Sequence, residues 1–288
     1  MIIKNRKIRE SAHELISKLS KLEFIESITL VGSHSDLKIS PSEKVIDLDF
    51  VIIANKLIYR NYKTISKIFS EIARKFSDSN YSFFVERKIG PFKPQSLEKK
   101  FTIVLHQIIF DIKGYRDYSQ KSALASYDWQ RTKPLYGNPL NYFFKIKKIN
   151  TNQLIKERLG INFYLDALSK KEGVCIIYKK NKEKVCPKIK KIKLSKNQQI
   201  ELMYHALFNT QNNMLKVISG KNEIYSFYKL NKTFFGKFEN TKKYKDLFLR
   251  LHILKTSIRS KKKTSVNLND LRQQTIFFLN DLKKILAK

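Results

Sequence analysis

The segment Val45 to Ile53, VIDLDFVII, places two carboxylates inside an otherwise apolar run. Successive side chains along a strand point to opposite faces. Asp47 and Asp49 therefore project together, while Leu48 and Phe50 face the other way. A buried carboxylate is costly unless it is compensated, and two side by side repel each other. A fold that accepts this segment as a strand must bring positive charge to that face, as a metal ion or as a basic side chain, or leave it to water.

The surrounding pattern supports the strand. Ile25 to Val31 reads as an earlier strand that ends in Gly32-Ser33, and residues 34–44 read as a polar loop or short helix, with Ser35 and Asp36 as N-cap candidates and Pro41 as a breaker. Apolar positions Ile8, Ala12, Leu15, Ile16, Leu19 and Leu22 predict a helix before the first strand, and Ile65, Ile68, Phe69, Ile72 and Phe76 a second helix after the Asp-x-Asp strand. YSFFVE (81–86) and FTIVLHQIIFDI (101–112) predict two more strands, separated by a loop carrying Gly90, Pro91 and Pro94. The order helix, strand, strand, helix, strand, strand is a mixed α+β arrangement over the first part of the chain.

Past Asp111 the periodicity changes. DWQRTKPLYGNPL (128–140) is turn-rich and reads as a linker or hinge. Helical stripes follow at Leu154, Ile155, Leu159, Phe163 and Leu168, at Ile200 to Ile218, at Tyr244 to Leu254, and at Leu271 to Ile285, with residues 174–194 interrupting them as a loop or small hairpin. The expected division is a mixed-sheet domain over 1–127, a linker over 128–150 and a helical bundle over 151–288.

The net charge is +33, from 58 basic and 25 acidic residues. Such an excess favours a polyanionic partner such as RNA. Lys outnumbers Arg 47 to 11, however, a balance that an AT-rich genome would also produce, and Arg is the better fork for phosphate. No apolar run approaches the roughly 18 residues that span a bilayer, and the N-terminus lacks an apolar signal core, so the expected setting is the cytoplasm with no membrane partner. Cys175 and Cys186 read as ordinary reduced thiols, since no Cys/His cluster supplies four zinc ligands.

Two carboxylates on one face suit Mg²⁺, which binds through one or two carboxylates, several waters and substrate phosphates. A nucleoside triphosphate would bring the phosphates. Gly32 allows its backbone to approach them closely, Ser33 offers a hydroxyl and an N–H, and a helix starting near residue 33 would add an anion site.

Val31-Gly32-Ser33, followed after 13 residues by Asp47-Leu48-Asp49-Phe50, resembles the signature of the polymerase-beta-like nucleotidyltransferase superfamily. The resemblance covers roughly the first 115 residues best. It implies a catalytic domain with Asp47 and Asp49 as metal ligands for two Mg²⁺ ions, Gly32 and Ser33 on the phosphates of an NTP, and transfer of a nucleoside monophosphate to an acceptor hydroxyl with release of pyrophosphate. Members often carry a third carboxylate on a later strand. Asp111 is the candidate for that role, Glu86 a weaker one, and His106 reads as a packed strand residue. The two-domain arrangement is similar to that of aminoglycoside nucleotidyltransferases such as the kanamycin enzyme, in which helices close over the acceptor.

The acceptor stays open among RNA such as tRNA, a protein hydroxyl and a small molecule, as do the NTP used and the oligomeric state. Nine lysines against Glu183 over 179–196 would suit a nucleic-acid arm or simply a solvated surface. Arg158, His205 and Asn213 are polar positions on the later helices with no assigned role. The alternative to an enzyme is a nucleic-acid- or partner-binding module whose catalytic site has decayed.

Overall fold

A computed structural model describes residues 2–37, 43–90, 101–121, 129–145, 160–219, 226–262 and 265–286. Pro41, the loop at 91–100, and the expected stripe at Leu154, Ile155 and Leu159 with its neighbour Arg158 lie outside the described residues. The chain divides into two compact units. The first comprises 1–146, 175–190 and 259–261, and the second comprises 147–174, 191–258 and 262–288.

The first unit is built on a five-stranded mixed sheet. Its elements are α1 (Ile2–Leu19), β1 (Ile25–Val31), β2 (Val45–Ala54), α2 (Tyr59–Phe76), β3 (Tyr81–Glu86), β4 (Phe101–Asp111), α3 (Ile112–Lys121), β5 (Tyr136–Gly137) and α4 (Leu140–Phe143). The strand order is β3-β4-β2-β1-β5. β2 runs antiparallel to β1 and parallel to β4, and β3 runs parallel to β4. β2 and β4 are thus interior strands, which is why both read as long apolar runs.

One sheet face carries Ile28, Leu30, Ile46, Leu48, Phe50, Ile52, Ile103, Leu105 and Ile109. It packs on Ile8, Ala12, Leu15 and Leu19 of α1 and on Ile65, Phe69, Ile72 and Ala73 of α2. Those positions recur at helical spacing, so each helix turns one apolar stripe toward the sheet. The opposite face divides into two parts. Val31, Val51, Ile53, Ile108 and Phe110 are covered by Tyr115 of α3 and by Leu140 and Phe143 of α4. The other part, at the start of β2, holds Asp47 and Asp49.

The expected linker contributes to this unit. Tyr136–Gly137 pair with Ser27 and Ile28 as a fifth strand. Gly137 has φ +70, and a Cβ there would lie 2.0 Å from the Glu26 carbonyl oxygen, so only glycine fits this edge. Residues 172–193 form a hairpin of two strands, β6 (Glu172–Asn181) and β7 (Lys184–Lys193). Residues 175–190 of it belong to the first unit.

The second unit is helical. It holds α5 (Ile161–Lys170), α6 (Lys196–Ser219), α7 (Phe227–Lys237), a short 3₁₀ turn (Glu239–Tyr244), α8 (Lys245–Arg259, less its last residue) and α9 (Leu268–Leu286). Phe227, Phe234, Phe248 and Phe278 form its aromatic core, and the Tyr244 hydroxyl donates to Asp281 at 2.7 Å. Among the described residues no helix is long and apolar enough to cross a membrane.

Candidate functional site

β1 and β2 end their pairing at Val31 opposite Asp49. The chain then leaves the sheet through Gly32, whose φ is +83. A Cβ at Gly32 would lie 2.7 Å from Asp49 Oδ2, closer than non-bonded atoms tolerate. The turn is therefore built directly against the carboxylate, and glycine is required both by the backbone angle and by the contact. Ser33 follows, exposed beside Gly32. Residues 33–36 form consecutive turns, with Ser35 N–H donating to the Gly32 carbonyl at 3.3 Å and Leu37 N–H to the His34 carbonyl at 2.9 Å. The helix considered for this segment is thus replaced by turns over its described part, and no helix N-terminus begins at residue 33.

His34 is buried behind the turn. Its Nδ1 lies 2.9 Å from the Asp47 carbonyl oxygen and its Nε2 lies 2.8 Å from Glu43 Oε2. It ties the start of β2 to the Gly-Ser turn. Asp47 itself is buried at 6% exposure, and Arg259 Nη2 lies 3.4 Å from its Oδ2. Arg259 is anchored through its backbone, since its carbonyl accepts from Lys44 N–H at 3.1 Å. Two residues on, the Lys261 ammonium donates to Thr102 Oγ1 at 3.1 Å. Burial holds its pKa below the usual lysine range, and the nearby Lys44 charge adds to the effect.

Asp49 has a different partner. In the parallel pairing of β2 with β4 it stands opposite His106, and His106 Nδ1 lies 2.6 Å from Asp49 Oδ1. The other ring nitrogen, Nε2, donates to the Lys88 carbonyl at 2.8 Å. A carbonyl can only accept, so the hydrogen between His106 and Asp49 sits either on the ring, giving an imidazolium–carboxylate pair, or on the carboxyl. Glu86 stands opposite His106 on β3, 4% exposed, with Oε1 accepting from Lys88 N–H at 2.8 Å. Glu86, His106 and Asp49 therefore form one row across three strands, with the Gly32 turn at its end.

Asp111 is not part of this row. It registers with Ala54, five positions beyond the Asp49–His106 pair. At about 3.3 Å per residue this is roughly 16 Å along the strand, and odd spacing puts it on the opposite face. Its Oδ1 accepts from Gly114 N–H at 2.6 Å, which caps the start of α3. The expectation that Asp111 completes a metal site fails on register: the residue of β4 that faces Asp49 is His106. Asp47, Asp49, Gly32 and Ser33 do come together.

Among the described residues, no group of three or more His, Cys, Asp or Glu side chains is arranged to hold a metal ion. Asp47 and Asp49 still match a divalent cation in type and face, because Mg²⁺ is commonly held by one or two carboxylates with waters and phosphates completing its shell. Such an ion would compete with Arg259 and His106 for the two carboxylates. Arg259, Lys261 and His34 were not singled out from sequence. His34 alone carried a local signal, its place directly after Gly-Ser.

Compared with known proteins, the chain matches no family model and no curated sequence.

Proposed function

We propose that the chain is a Mg²⁺-dependent nucleotidyltransferase that moves a nucleoside monophosphate from an NTP to an acceptor hydroxyl and releases pyrophosphate. The observation that carries this reading is the seating of the Gly32 turn against Asp49, with Asp47 on the same face of β2. Nothing in packing alone calls for two carboxylates beside an exposed Gly-Ser turn. Asp47 and Asp49 would hold the metal, which when bound neutralises the triphosphate and lowers the pKa of the acceptor hydroxyl.

The other roles fall to the chain itself. Gly32 and Ser33 present backbone N–H groups and a hydroxyl to phosphate oxygens, with no side chain at Gly32 to block the approach. His34 fixes the start of β2, and so the direction of Asp47. His106, held at its far nitrogen by the Lys88 carbonyl, fixes Asp49. Arg259 and Lys261 place positive charge at the starts of β2 and β4, where a departing pyrophosphate would gain charge. Catalysis here is positioning and charge neutralisation, with Asp111 outside the machinery.

A second reading is favoured by the engagement of Asp49 with His106 and by the absence of Asp111 from the row: a module that binds nucleotide or nucleic acid without transfer. Incubation with Mg²⁺, each labelled NTP and total cellular RNA separates the two. Label in RNA, protein or a small molecule, together with pyrophosphate release, supports transfer. NTP binding with no transfer to any acceptor supports the second reading.

A further inference from the structure

The lysine excess of this chain is not spread evenly. Residues 175–190 carry six lysines against Glu183, a net +5 over 16 residues, while the whole chain carries +33 over 288. The local density is more than twice the average. All six lysines, Lys179, Lys180, Lys182, Lys184, Lys188 and Lys190, are exposed.

These residues are not a loose tail. β3 stops at Glu86 opposite His106, so among the described residues no strand continues its ladder along the edge of β4 from Gln107 onward. The hairpin covers that edge. The Tyr178 hydroxyl meets both backbone groups of Ile109, donating to its carbonyl and accepting from its N–H at 3.2 Å. Tyr59 N–H donates to the Glu183 carbonyl at 2.7 Å near the hairpin's turn, and Ile89 and Ile176 exchange backbone hydrogen bonds of 2.9 and 2.8 Å nearer its base. Ile89 follows Lys88, whose carbonyl holds His106. At this end Lys88, Glu86 and Lys190 all lie within electrostatic reach of the Cys175 thiol, whose pKa burial raises first of all. The lysines of this anchored hairpin therefore begin beside the Glu86–His106–Asp49 row, at Lys190, and extend away from it.

We propose that this hairpin is a nucleic-acid contact, gripping the phosphodiester backbone of a single strand and laying it alongside the carboxylate row. A hairpin already folded spares the backbone ordering that a disordered basic arm would need, and each phosphate its ammonium groups neutralise releases condensed counterions. The inference rests on the nucleotidyltransferase reading only for what happens to the strand. Binding is expected with neither Mg²⁺ nor NTP.

The test uses the full chain and end-labelled 20-nucleotide RNA and DNA strands of matched sequence, titrated by fluorescence anisotropy across a salt series. One variant carries Lys179→Gln, Lys184→Gln, Lys188→Gln and Lys190→Gln. A control of equal charge carries Lys21→Gln, Lys232→Gln, Lys237→Gln and Lys245→Gln, all exposed positions outside the hairpin. Thermal melting confirms that both fold. The hairpin variant is expected to bind about tenfold more weakly, with its log Kd against log salt slope reduced by roughly 2 to 3, from about 0.7 per phosphate contact. The control is expected to stay within about twofold of the parent, and the strand that the parent binds more tightly identifies the natural source of the phosphates. Equal affinity of the two variants for both strands overturns the proposal and leaves the transfer reading standing. Failure of transfer with this binding pattern intact does the reverse.

Discussion

His106 Nδ1 lies 2.6 Å from Asp49 Oδ1, and its Nε2 is bound to the Lys88 carbonyl at 2.8 Å. One buried ring thus supplies a hydrogen-bonding partner to a carboxylate that stands in an apolar strand. His106→Leu removes both bonds and keeps the volume roughly constant. The expected cost is about 1–3 kcal/mol, the desolvation penalty of polar groups left without their partner. Urea midpoints at neutral pH measure it. In an Asp49→Leu background the same change is expected to cost less, because one of those groups has gone.

The Gly32 turn gives a test of geometry alone. Gly32→Ala places a methyl group 2.7 Å from Asp49 Oδ2 on a backbone with φ +83. The expected loss is about 2–3 kcal/mol, of which roughly 1 kcal/mol is the backbone conformation and the rest the collision. With Asp49→Ala in place only the backbone share should remain, since the nearest surviving Asp49 atom, Cβ, lies 3.9 Å away. Thermal melts of the two single variants and the double variant decide this, and simple additivity would show that the contact is not the constraint.

Arg259 and Asp47 form the second compensating pair, at 3.4 Å with both side chains largely buried. Arg259→Met is expected to destabilise by about 1.5–3 kcal/mol, because the buried Asp47 carboxyl loses its cationic neighbour. Adding Asp47→Asn should recover most of that loss. A double variant no more stable than Arg259→Met would assign the effect to packing of the arginine stem.

Acid stability has a separate local source. Lys7 hydrogen-bonds Asp78 and draws its pKa down to about 2, with the Tyr81 and Asn80 N–H groups adding to the effect. A carboxyl whose pKa is lower folded than unfolded contributes stability above its unfolded value and loses it as pH falls through the folded one. The window therefore runs from about pH 4 down to about pH 2. The pair is partly exposed, so the contribution is small, below about 1 kcal/mol. Asp78→Asn should flatten the melting temperature against pH in that window and leave the slope above pH 5 unchanged.

The strands could be read because each is marked by its own residues. The apolar runs at 25–31, 45–54, 81–86 and 101–111 carry their burial in local spacing, and α1 and α2 carry theirs in helical stripes. Which side chains meet Asp47 and Asp49 could not be read, because His106 is 57 positions and Arg259 212 positions away. Only the β2–β4 register decides that Asp49 faces His106 while Asp111 falls beside Ala54. The fifth strand escaped for another reason. Tyr136–Gly137 is two residues long, too short for any periodicity, and its Pro- and Gly-rich surroundings have the composition of a linker.

The central claim is that Asp47 and Asp49 together serve metal-dependent nucleotidyl transfer. Its most direct measurement is Mg²⁺-dependent pyrophosphate release from each NTP in the presence of total cellular RNA, for the parent chain and for Asp49→Asn. Asn keeps a hydrogen-bond acceptor for His106, so the variant should melt within a few degrees of the parent without metal. Its transfer rate should fall by on the order of a thousandfold, or about 4 kcal/mol of transition-state stabilisation. Pyrophosphate released by the parent, and lost in a variant that stays folded, is the predicted result. A parent chain that releases none with any NTP, or a folded Asp49→Asn that releases as much as the parent, would contradict it.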